Sequence, residues 1–169
     1  MTGMFELERA IRFAPEWAPN DRLRDLFQYW DRQRGASAIP ARSDIDPTQI
    51  RSNVGRMHLL TVEAPGTYRY RIYGSAVTNP DRREMTGKTT RDYEDAKFAR
   101  LVTAHMDEAY ALGQPTCYQI DAVTHGKPYS YVRMILPLGD DRHITHFLVG
   151  TQRIEVHDSM RREILSAAL

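Results

Sequence analysis

The apolar positions of the chain fall into readable periods from Leu23 onward. Leu23, Leu26, Phe27 and Trp30 recur at i, i+3, i+4 and i+7, which is one face of a helix over residues 21–34. Asn20 is placed to cap its start, Asp21 suits the positive end of the helix dipole, and Gly35 stops it. Arg24, Asp25, Gln28, Asp31 and Arg32 fill the opposite, wet face. The stretch before it, residues 1–19, has no clean period in Phe5, Leu7, Ile11 and Phe13, and Pro15 and Pro19 interrupt it. It reads as an arm that packs on the domain or on a partner.

Beyond the first helix the pattern changes from 3.6 to 2. Residues 59–63 and 68–73 flank Ala64-Pro65-Gly66-Thr67, where proline fixes one φ and glycine supplies a positive one, so a hairpin is expected. In its second strand Tyr68, Tyr70 and Ile72 point one way, and Arg69, Arg71 and Tyr73 the other. Asp46-Pro47 reads as the start of a short helical turn over residues 48–53. Residues 75–92 are irregular, with short helical turns. A long helix over residues 93–112 carries the stripe Phe98, Leu101, Val102, Met106, Ala109 and Leu112, and Gly113 and Pro115 end it. Strands over residues 116–123, 129–137 and 144–154 follow, joined by turn-rich connections. Residues 158–169 read as a last helix, with Asp158 as its cap.

Tightly joined strands pair antiparallel, so this order predicts an α+β domain. Its sheet has five antiparallel strands, with helices on one face and flanking helices at both ends. The expected division is an arm over 1–19, a domain over 20–155 that includes the 21–34 helix, and a flanking helix over 156–169.

Composition narrows the functional classes. A length of 169 residues suits one domain, and 41% hydrophobic with 27% charged residues is ordinary for a globular protein. The net charge of +1 offers no basic excess, so no nucleic-acid partner is expected. Cys117 is the single cysteine and cannot close an internal disulfide, which fits the reducing cytoplasm and a buried strand position. Residues 1–12 lack the apolar core of a signal peptide, and no run of about 18 apolar residues appears, so no membrane association is expected. Lys88 follows a single glycine rather than a phosphate-binding loop, and no G-x-S-x-G, H-E-x-x-H or C-x-x-C motif is present. His143 and His146 fall on opposite faces of a strand and make a poor metal pair, so no metal is expected.

Several stretches carry a family resemblance. Trp30-x-x-x-Arg34-Gly35 followed by Pro40-x-Arg42-x-Asp44-Ile45-Asp46-Pro47 resembles the entry signature of a PAS subfamily found mostly in alphaproteobacteria. Tyr68-Arg69-Tyr70-Arg71-Ile72-Tyr73-Gly74, Thr86-Gly87-Lys88 and Leu136-Pro137-Leu138 sit where that subfamily has its arginine-containing strand, its Thr-Gly step and its Leu-Pro-Leu step. The resemblance spans residues 27–152 and implies a sheet in the strand order 2-1-5-4-3. The long helix and short turns would roof one face and enclose a ligand. The other face would be left to flanking helices or a second subunit.

His105 is the most informative single side chain, because the helical period places it beside Phe98 on the apolar face, with Arg100, Thr103 and Asp107 opposite. Three readings are open: a core histidine satisfied by a hydrogen bond, a ligand contact, or an axial ligand to haem, which the resemblance to haem-binding PAS sensors suggests. His105, Tyr70, Tyr118, Met106 and Arg42 are the expected ligand-binding residues. Arg42, with Asp44 and Asp46, serves either the local fold or an anionic ligand. Leu23, Phe27 and Trp30, with Arg69 and Arg71 and Arg133 as a neighbour on the same sheet face, are the expected partner surface.

The functional expectation is a stand-alone sensory module, not an enzyme, with no catalytic residue. It would bind a small ligand, an unidentified signalling protein or both, act in trans and form a homodimer. One alternative is a small enzyme built on His105 with Asp121, and another is a ligand-free adaptor with a filled core.

Overall fold

A computed structural model describes residues 4–155 of the chain. The elements are β1 (Phe5–Phe13), α1 (Asp21–Arg34), β2 (Met57–Ala64), β3 (Thr67–Ile72), α2 (Ala96–Leu112), β4 (Thr116–Thr124), β5 (Lys127–Gly139) and β6 (Ile144–Ile154). Short 3-10 turns occupy Arg42–Asp44, Pro47–Asn53 and Thr90–Asp92. The helix expected over residues 156–169 lies outside the described residues.

All pairings are antiparallel, in the order β1-β4-β5-β6-β2-β3. Read from β3, the last five strands reproduce the order the resemblance implies. The sixth strand, β1, comes from the stretch read as an arm, which packs on the domain by pairing with β4. β1 is an edge strand whose central residues face water, and a register shift between Leu7 and Arg9 breaks its alternation, so no period of 2 survives in the sequence.

The local signals behave as their chemistry requires. Asn20 Oδ1 accepts the Leu23 N–H at 2.9 Å and Asp46 Oδ1 accepts the Thr48 N–H at 3.0 Å, so both caps form. Gly66 adopts φ +86°, the value the Pro65-Gly66 turn needs. The β2–β3 hairpin then departs from simple alternation. Leu59 pairs with Ile72 but Leu60 pairs with Tyr70, so Arg71 is the extra residue of a bulge. The bulge leaves Ile72 exposed and turns Tyr73 inward beside Tyr70, which corrects the expected facing of both.

Each face of the sheet has its own core. On β5, Val132, Met134, Leu136 and Leu138 face α1, whereas Tyr131 and Ile135 face α2. Leu23, Leu26 and Trp30 of α1 are buried on the first face, and Trp30 Nε1 donates to Pro137 O at 2.8 Å. Gly150 of β6 permits this close approach: a Cβ there would lie 2.6 Å from Leu26 Cδ2. The stripe of Leu23 and Trp30 expected to meet a partner is therefore covered by this chain's own sheet, and Phe27 packs half-buried against it.

Candidate ligand cavity

The second face is where the sequence places its polar chemistry. Asp95 caps α2 by accepting the Phe98 N–H at 3.1 Å through Oδ1. Its Oδ2 also accepts the backbone N–H groups of Met4 at 2.6 Å and Phe5 at 2.9 Å. One carboxylate thus fixes both the start of α2 and the start of β1. Between α2, the sheet and the segment 76–82 lies a cavity of about 650 Å³. That volume falls within the ~300–1,000 Å³ typical of small-molecule sites.

Aromatic side chains form much of its wall. Tyr70, Tyr73 and Tyr93 meet edge to face, and Tyr93 stands edge-on to Phe98 at 4.8 Å between ring centroids. The Tyr93 hydroxyl is shared between Tyr70 Oη at 2.8 Å and Tyr73 Oη at 3.3 Å. Asn79 Nδ2 donates to Tyr73 Oη at 2.9 Å and to Arg83 O at 2.6 Å, which ties the 76–83 loop to the ring cluster. Burial raises the pKa of Tyr70, Tyr73 and Tyr93, so these phenols stay protonated.

Arg133 is set among these rings and is 4% exposed. Its Nη1 donates to His105 Nδ1 at 2.7 Å and its Nη2 to Tyr131 Oη at 2.9 Å. The guanidinium also lies 5.4 Å from the Tyr131 ring centroid and 6.0 Å from that of Phe98. No carboxylate among the described residues lies within ion-pair distance of it.

Two buried histidines respond to this charge. Desolvation, with Arg133 as the second cause, lowers the pKa of His105 to about 2 and that of His58 to about 3. Both rings are neutral at physiological pH. An arginine can only donate, so His105 Nδ1 carries the lone pair and Nε2 the proton. The Gly74 N–H donates to His58 Nδ1 at 2.9 Å and fixes the same tautomer there. His58 stacks on Tyr73 with centroids 4.1 Å apart and lines the cavity.

The expected ligand-binding residues divide in the structure. Tyr70 and Met106 line the cavity, and His105, Tyr118 and Arg42 do not. His105 lies flat on Tyr118, with centroids 3.7 Å apart, and Tyr118 Oη donates to Glu108 Oε1 at 2.6 Å. That pair backs Arg133 rather than facing the cavity. Haem ligation by His105 does not fit, because its one lone-pair nitrogen accepts from Arg133 and one face of its ring is covered. Arg42 belongs to a segment docked on α1, where Tyr29 Oη accepts the Asp46 N–H at 2.8 Å and Gln33 Nε2 donates to Asp44 O at 2.7 Å. Thr103, expected on the wet side of α2, is buried and shares a 2.8 Å hydrogen bond with Thr90 of a 3-10 turn.

Arg69 and Arg71 sit on the outermost strand. Arg69 pairs with Glu63 and donates to Gly87 O at 2.8 Å, and Arg71 donates to Thr61 Oγ1 at 2.8 Å. Residues 87–88 cover part of this edge through Tyr70 N–H to Lys88 O at 2.9 Å and Gly87 N–H to Tyr70 O at 2.8 Å. Arg133 faces α2 and is not their neighbour, which corrects that grouping. The proposed enzyme pair is not assembled either: Asp121 bonds Arg9 and Ser130, whereas the strand positions on either side of it, Ile120 and Ala122, belong to the α2 core with His105's partner Tyr118. Among the described residues no three His, Cys, Asp or Glu side chains gather as a metal site, and no helix is long and apolar enough to cross a membrane.

Fold and cavity together define the class, an α+β domain with a helix-roofed cavity over one face of an antiparallel sheet. The sequence pattern of the PAS domain family matches residues 19–152, and the chain belongs to that family. PAS domains are sensory modules as a class. Among solved structures the chain is similar to one described as an RNA-binding light-oxygen-voltage receptor, at 15% identity and a TM-score of 0.44. The likeness covers 91% of this chain and 56% of that one, so the chain spans about half the length of that relative. No curated protein matches it.

Proposed function

We propose that this PAS domain senses a small molecule held in the cavity beneath α2 and signals its occupancy in trans to a protein partner in the cytoplasm. The observation that carries the reading is the cavity of about 650 Å³ beneath α2, walled by rings whose hydroxyls are already engaged with one another. Tyr70 and Met106 contact the ligand, while His105 and Tyr118 act from behind Arg133. Sensing is favoured over catalysis because His105 and Asp121 serve separate structural contacts. A ligand-free adaptor is disfavoured by the same cavity. The exposed outer strand with Arg71 and Ile72 is the surface offered to a partner or a second copy, since the stripe of α1 is already buried. The net charge of +1 gives no bulk attraction to nucleic acid.

Native mass spectrometry of the protein taken directly from cells tests this. Expected is a bound mass that leaves on denaturation and is missing from Ala76→Trp, which crowds the cavity mouth from an exposed position. Equal masses for both proteins, together with no melting shift for the native chain across a small-molecule collection, would sink the proposal.

A further inference from the structure

The charges around the cavity are all of one sign. Arg56, Arg82, Lys127, Arg133 and Arg153 line it, and no aspartate or glutamate does. The chain as a whole is balanced, with 23 basic and 22 acidic residues. None of these five cations takes part in an ion pair among the described residues. Four of them are exposed at the mouth, and Arg133 is the buried one. A buried cation is costly unless an anion or several acceptors meet it. Arg133 has five N–H donors, of which His105 and Tyr131 take two. His58 adds a further donor: Nδ1 accepts from Gly74, so Nε2 carries a proton, and no protein acceptor meets it among the described residues.

We infer that the cavity binds an organic carboxylate with a flat apolar body, its carboxylate seated on Arg133 and the His58 Nε2–H and its rings against the aromatic wall. The planar fork of a guanidinium matches a carboxylate in two parallel hydrogen bonds, which a spherical cation could not do. Tyr70, Tyr73 and Phe98 supply the surface for the rings. The four cations at the mouth draw anions in and leave acceptor-poor surroundings for cations. The peptide backbone takes part as well. Arg82 and His125 are the non-glycine residues with positive φ among the described residues, at 54° and 51°, and both line the cavity. His125 Nε2 lies 2.8 Å from Pro80 O, so the two strained segments meet at the mouth.

This inference rests on the reading of the cavity as a ligand site, and the experiment separates the two. Calorimetric titration uses three probes with one ring system: 2-naphthoate, 2-naphthalenemethanol and 2-naphthylmethylamine. The carboxylate should bind at least tenfold tighter than the alcohol, and the amine weakest. In Arg133→Met the alcohol should bind as before and the carboxylate should lose its tenfold advantage. Lys127→Gln with Arg153→Gln, both at exposed positions, should reduce the advantage several-fold and weaken its salt dependence. These mouth variants keep the test decisive if Arg133→Met does not fold. Equal binding of carboxylate and alcohol would overturn the anion assignment and leave the cavity a ligand site. Tighter binding of the amine would do the same. Absence of binding by all three at millimolar concentration would overturn both.

Discussion

The face of the sheet under α1 is filled mostly by leucine, isoleucine, valine and methionine, whereas the face under α2 carries tyrosine, histidine and arginine. Both faces are buried and both are roofed by one long helix. On the α1 side the buried indole of Trp30 is satisfied within the chain by Pro137 O, and side chains interlock down to the bare Cα of Gly150. On the α2 side the polar groups satisfy one another in part, and a cavity remains. One half of the molecule is packed for stability, and the other gives up packing to hold donors in place. A sheet makes this division cheap, since alternate residues of one strand serve opposite tasks.

Acid should break the α2 half first and with the largest effect. His58 and His105 are neutral when folded, with pKa values lowered to about 3 and about 2, and take up a proton near pH 6.5 when unfolded. Below pH 6.5 the unfolded chain binds more protons, so stability falls as pH falls. Each histidine contributes about 1.4 kcal/mol per pH unit once pH is well below 6.5. Urea melts between pH 7 and pH 4.5 should show a loss of about 5 kcal/mol for the pair, and His58→Gln with His105→Gln should flatten it. A flat profile in the native protein would contradict the buried neutral state. Carboxylates held low by hydrogen bonds, such as Asp92 and Glu108, lose their contribution only at lower pH.

Leu26→Ala tests the α1 half. Leu26 is fully buried against Gly150, and its truncation should cost about 3 kcal/mol by chemical denaturation while leaving naphthoate affinity unchanged. A coupled loss of affinity would show that the two halves are not independent. Tyr93→Phe comes next, removing the hydroxyl that Tyr70 and Tyr73 share; about 1–2 kcal/mol and a change in probe affinity are expected. Least of all, Arg69→Gln should leave the same melts essentially unchanged, since its pair with Glu63 is partly exposed and screened by solvent.

The two halves were also unequally legible in the sequence. α1, its Asn20 cap and its buried stripe follow from spacing alone, because a helix with one wet face has a strong period. The antiparallel hairpins follow from their turn residues. The cavity does not follow in the same way. Its cations come from segments as distant as Arg56 and Arg153, and only the folded register gathers them. Tyr73 was hidden by a bulge that shifts every later side chain to the other face. Arg133 was readable in principle: Val132, Met134 and Leu136 claim one face of β5, and Tyr131 and Ile135 mark the other as buried, so an arginine between them cannot be on a wet face. The charge of Arg133 argued for a solvated position, and burial on both sides of a central strand outweighed it. β1 gave no signal because an edge strand has little to bury.

The clamp that Asp95 places on the start of β1 bears on the order in which the molecule is made. β1 completes the edge of β4, and its residue Arg9 pairs with Asp121, 112 positions later. During synthesis the ribosome releases β1 long before either Asp95 or β4 exists outside the tunnel. For that interval it is a strand without a ladder, the kind of segment that recruits neighbouring chains. Glu6, Glu8, Arg9 and Arg12 alternate with or flank its apolar residues, and the charges that blur its period in the sequence keep the nascent strand in water until its place in the sheet has been built.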